Sequence, residues 1–141
     1  MKINWWPFAL IFYTDNLPED PAVPPTWRLA GCASNFIVRI RPEYRGDEGL
    51  LAHELVHIGQ GWKLLMIGHS LLYRFSAKYR LWAEVSAYKV QMLHPNGRGN
   101  LSRDTGEFSR EYLSVERAAR HLMSPRYKFN LTFEEAKSLL E

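Results

Sequence analysis

The chain has 141 residues, a formal charge of +3 and a hydrophobic share of 46%. That length supports one domain with a sizeable core, residues 1–141 as a single unit, and the composition excludes wholesale disorder. A single cysteine, Cys32, excludes a disulfide framework and a cysteine-rich zinc finger, and 18 basic against 15 acidic residues is too small an excess to argue for nucleic acid or a membrane.

Residues 3–13 read as a buried strand interrupted by Pro7. The apolar run from Trp5 to Tyr13 imitates a signal peptide, but no small-residue cleavage site follows it, so a cytoplasmic location is expected. Residues 15–25, with Pro18, Pro21, Pro24 and Pro25, read as a loop. Two strands are expected around Gly31, at 27–30 and 35–40. In the second, Phe36, Val38 and Ile40 alternate with Ile37, Arg39 and Arg41, as in a sheet with one wetter face. Asp47 is placed to cap a helix over 48–62, and a longer helical region over 64–93 has room for breaks at Gly68 and at 76–80. A Gly/Asn-rich loop at 95–106, a helix over 109–123 and a last helix opened by the capping box at Thr132 complete the chain. Strands first and helices after give one α+β domain.

The chemistry concentrates in His53-Glu54-Leu55-Val56-His57. Histidines at i and i+4 share one helical face, so both imidazoles reach a single metal. Glu54 lies about 60° round the helix from His57, within reach of a water at that metal. Leu51, Leu55, Ile58 and Trp62 form an apolar stripe broadly opposite the histidines.

Catalytic zinc keeps three protein ligands and one open position. Glu84, among Trp82, Ala83, Val85 and Ala87 on a following helix, is the best third ligand, because a half-buried carboxylate there is costly without a cation. His69 is an alternative expected to face away from the site, and Asp104, in a loop, is a second. A donor for a developing oxyanion is available among Tyr88, Tyr79, Arg80 and His94; Tyr88, one turn beyond Glu84, is entered as a catalytic candidate, with core packing as its other reading. Arg74, Lys78, Arg80 and Lys89, interleaved with Tyr73, Phe75, Tyr79 and Trp82, read as a solvated face over core aromatics.

His53 to Gln60, followed by Glu84-Val85-Ser86-Ala87-Tyr88, resembles the HELxHxxQ and downstream ExxAY motifs of small bacterial and phage zincins of the gluzincin type. The resemblance covers about residues 36–92. It implies a minimal zincin-like fold: a short N-terminal sheet whose edge strand precedes the active-site helix, then a glutamate-bearing second helix and C-terminal helices. It also implies His53, His57 and Glu84 as Zn²⁺ ligands and Glu54 as general base. The expected function is zinc-dependent hydrolysis, foremost of peptide bonds. The rivals are a zinc amidase of cell-wall peptide links, a non-catalytic module on the same fold and a small DNA-associated protein. The expected partner is a peptide or protein substrate, with no nucleic acid and no membrane. The strand at 36–40 is expected to pair with an extended substrate, in a groove completed by the loops at 15–25 and 95–106.

Overall fold

A computed structural model describes residues 1–18, 28–101 and 108–141. The architecture is mixed α and β. Strands β1 (Lys2–Trp5) and β2 (Phe8–Tyr13) form an antiparallel hairpin that turns at Trp6-Pro7, where Asn4 Nδ2 donates to the Pro7 carbonyl at 2.7 Å. Strands β3 (Gly31–Ser34) and β4 (Ile37–Ile40) form a second hairpin around Asn35, whose φ of 55° is one that asparagine tolerates well. The sheet order is β1-β2-β4-β3, with β2 and β4 parallel.

That order corrects the sequence expectation. Strand β4, immediately before the first helix, is interior and paired on both sides, so its backbone cannot take up a substrate strand; the edges are β1 and, next to β4, β3. Residues 28–30, expected as strand, are irregular, and the rest of the 15–25 loop beyond Pro18 lies outside the described residues. Val38 and Ile40 enter the core as their alternation requires, but Arg41 is buried rather than wet. Its Nε donates to the Leu29 carbonyl at 2.6 Å and its Nη1 to Asp15 Oδ1 at 3.3 Å, which satisfies a charge that burial would otherwise penalise.

Helix α1 (Glu48–Lys63) opens at Asp47, whose side chain accepts from the Leu50 amide at 2.8 Å. Its apolar side covers the sheet: Ile58 is fully buried with Ala9, Ile11, Val38 and Ile40, and Leu51 and Leu55 pack around them. Trp62, the last member of the predicted stripe, is half exposed and donates its indole N–H to the Phe8 carbonyl at 2.9 Å. The long helical region divides into α2 (Ile67–Phe75) and α3 (Ala77–Gln91). One break falls at Leu65 and Met66, both at positive φ, just ahead of Gly68; the other falls at Ser76, which caps α3 by accepting from the Tyr79 amide at 3.1 Å.

Where a loop was expected at 95–106, strands β5 (Pro95–Leu101) and β6 (Phe108–Tyr112) pair antiparallel. The helix expected from 109 therefore starts only at Val115, as α4 (Val115–Leu122), and α5 (Phe133–Leu140) follows with both halves of the Thr132–Glu135 capping box formed. Helices α3, α4 and α5 enclose a second core built on Tyr88, Leu113, Leu122, Tyr127 and Leu140. Helix α1 belongs to the first core and α3 largely to the second, so the α1–α3 contact lies between the two.

Candidate metal centre

Three side chains converge where α1 meets α3. His53 and His57, one turn apart on α1, place their Nε2 atoms 3.3 Å from each other. Glu84, from α3, is 2% exposed; its Oε1 lies 3.3 Å from His57 Nε2 and its Oε2 3.5 Å from His53 Nε2. Close approach of the helices is permitted by Ala83 and Ala87 on α3, both fully buried. Donors about 2.0–2.1 Å from a tetrahedral ion are separated by roughly 3.3–3.4 Å; the two imidazole nitrogens meet that spacing, each faces a different Glu84 oxygen, and one ligand atom from each residue lies within 4.8 Å of the others. Glu84 Oε2 and His53 Nδ1 are buried without a hydrogen bond, an arrangement that proteins rarely keep without reason. Among the described residues, His53, His57 and Glu84 are a group able to hold a metal ion.

The donors are held from behind. His57 Nδ1 bonds Gln60 Oε1 at 3.0 Å, and Gln60 Nε2 donates to the Ala83 carbonyl at 3.3 Å. The α3 carbonyl fixes the amide, the amide oxygen asks for a proton on Nδ1, and Nε2 is left facing Glu84. The Tyr73 hydroxyl, from α2, donates to Glu84 Oε1. Burial first, and then the Glu84 charge, push the Tyr73 phenol above its ordinary range, so it remains a donor at any physiological pH. Replacing Tyr73 by Phe is expected to weaken affinity for a divalent metal ion about tenfold while leaving helix content unchanged. A competitive chelator titration measures it; wild-type affinity in the variant would reduce the hydroxyl to a packing group.

The charges of these side chains are coupled. Burial alone would lower the His57 pKa, but Glu84, then Glu54 and the Gln60 contact, outweigh it and raise the imidazole to about 9. Burial alone would raise Glu84, yet His57 and His53 hold its carboxyl well below the usual range. Without metal, a proton on His57 thus neutralises the glutamate.

Glu54 is buried beside the triad and does not belong to it. Burial raises its pKa, opposed by the charges of His53 and His57. Its Oε1 abuts the edge strand: a Cβ at Gly31 would stand 3.2 Å from that oxygen and 3.2 Å from the Arg39 carbonyl, so only glycine leaves this carboxylate undisturbed. Cys32, half-buried on the same strand, has its thiol pushed up by burial and by Glu54.

The remaining candidates are distributed around this centre. Tyr88 is buried, its ring edge-on to His53 at 4.5 Å and stacked on His121 at 5.9 Å, and its hydroxyl shares a 3.0 Å hydrogen bond with that of Tyr127. His69 does not face away. The break at Leu65 and Met66 turns α2 so that the His69 ring lies 6.3 Å from that of His57, hydrogen-bonded to the Tyr79 hydroxyl at 2.7 Å. Arg80 is occupied with the Tyr73 and Tyr127 carbonyls at 2.8 and 3.2 Å, and His94 is exposed. Asp104 lies outside the described residues.

Sequence reasoning missed Tyr73 and Tyr127. Tyr73 offered a faint signal, since its i−4 neighbour is His69, which places two hydrogen-bonding rings on one face of the helix. Comparison with protein-family models, with curated proteins and with solved structures found no match.

Proposed function

We propose that this chain is a zinc-dependent peptidase on a minimal zincin-like scaffold, with His53, His57 and Glu84 as the metal ligands and Glu54 as the general base. The observation that carries the reading is the pairing of a buried His53–His57–Glu84 donor group with a separate buried carboxylate. A structural site has no use for such a carboxylate, and a hydrolase requires it.

When bound, zinc supplies a Lewis acid that brings the pKa of a water toward about 7 and polarises a carbonyl oxygen. Glu54 takes one proton from the attacking water as its oxygen bonds to the peptide carbon, then delivers that proton to the amine as the C–N bond breaks. Burial serves the first transfer: a raised pKa makes the Glu54 carboxylate a stronger base toward the attacking water. Strand β3, the sheet edge beside Glu54, is the element along which an extended peptide is taken to run. Tyr88 is assigned to the oxyanion. In the Tyr88–Tyr127 pair one hydroxyl donates to the other, which leaves one O–H proton for a third acceptor.

The test is hydrolysis of unstructured peptides by the full chain. Activity that a chelator removes and zinc restores is the expected result. A zinc-loaded chain that cleaves no peptide but clears a peptidoglycan suspension would replace the peptidase reading by the amidase one.

A further inference from the structure

Helix α2 is turned with its polar side inward. His69 and Tyr73 face the metal centre, whereas Ile67, Leu71 and Phe75, at i, i+4 and i+8, face solvent, and none of its nine residues is buried. Ile67 is 74% and Phe75 75% exposed, and Leu65, just before the helix, is 83% exposed. The same end of the molecule carries Trp5 and Trp6, 77% and 85% exposed, at the tip of the β1–β2 hairpin. That tip sits against the last turns of α1: Pro7 is 3.8 Å from the Cβ position of Gly59, and Trp62 bonds the Phe8 carbonyl. Leu65 leaves the same helix end, within about 10 Å of rise. Leu65, Ile67, Leu71 and Phe75 thus give the outer side of α2 an exposed apolar stripe, and Trp5 and Trp6 project from a hairpin tip packed on the end of α1 from which α2 departs.

Charge selects the occupant. Residues 1–14 and 55–83, which supply these side chains, hold no Asp or Glu, and their exposed cations are Lys2, Lys63, Arg74 and Lys78. A second copy docked about a two-fold axis would set these cations against themselves. An anionic lipid surface accepts both components, because projecting Trp and Phe suit the headgroup–acyl boundary while Lys and Arg meet the phosphates. We infer that this face, formed by the β1–β2 tip, the α1–α2 connection and the outer side of α2, docks on anionic lipid. The inference departs from the near-neutral composition, which gave no reason to expect a membrane, and it does not depend on the metal site.

Sedimentation of the full chain with phosphatidylglycerol-containing vesicles, against phosphatidylcholine alone, tests it. Binding to the anionic vesicles that weakens with added salt is expected. Ile67→Ser with Phe75→Ser should reduce partitioning at least about tenfold. Lys63→Gln with Lys78→Gln should reduce both binding and its salt dependence. In the unaltered protein, brominated lipid should quench tryptophan emission, a readout independent of whether any variant folds. No preference for anionic vesicles, equal binding by the serine variant, or absent quenching would overturn the inference. So would a wild-type dimer that the serine variant makes monomeric, since a second copy would then own the face.

Discussion

Glu54→Gln is expected to keep its full zinc content and lose between about 10²- and 10⁴-fold in turnover. Glutamine preserves the shape beside Gly31 but cannot take a proton from water, so the loss should fall on kcat rather than on metal binding. Stability should move the other way. Burial raises the Glu54 pKa, so its ionised form weighs against the folded state above the pKa of the unfolded chain. An uncharged amide removes that penalty, and the variant should melt no lower than wild type at neutral pH. Full hydrolysis by a zinc-loaded Glu54→Gln chain would sink the mechanism, whereas loss of zinc would make Glu54 a ligand.

Glu84→Ala should abolish the centre altogether. It deletes one of three donors and leaves Tyr73 and His57 without their shared acceptor. Zinc affinity is expected to fall at least about a hundredfold, beyond the 10–100-fold typical of groups that only support a ligand. The metal-free chain should lose about 3 kcal/mol, the lower end for breaking a buried ion pair, because His57 can shed its proton rather than stay charged without a partner. Zinc content by atomic spectroscopy and urea melts of the metal-free protein give the two numbers. Undiminished zinc would transfer the third position to His69, whose ring already lies near His57.

What the sequence made legible was local. Asp47 as cap, two histidines on one face and a glutamate wedged among apolar neighbours are all statements about spacing along one helix, and α1 and α3 carry them in place. What it hid was set by other segments. The central position of β4 depends on β2 crossing to pair with it in parallel, which no alternation within 35–40 encodes. The rotation of α2 is decided by two residues at positive φ, Leu65 and Met66, neither of which announces a turn as glycine or asparagine would. That rotation brought His69 and Tyr73 inward and put Phe75 outside; of the aromatics expected in the core, Tyr73 and Tyr79 are half-buried while Phe75 and Trp82 are exposed. The Gly/Asn-rich stretch after His94 carries turn chemistry along strand β5, and its composition therefore concealed the pairing of β5 with β6.

The connection between α1 and α3 has one more consequence. All of α2, with both of its breaks, is strung between His57 and Glu84. A cation gripping both ends would act as a clasp on that segment, fastening a loop that the chain otherwise closes through packing, the His57–Glu84 pair and the Gln60–Ala83 hydrogen bond. Folding and metal supply would then be linked: each tenfold rise in free metal above the dissociation constant adds about 1.4 kcal/mol to the folded state. Helix α2, exposed on its outer side and without a buried residue, would be the first part of the molecule to report that the clasp had opened.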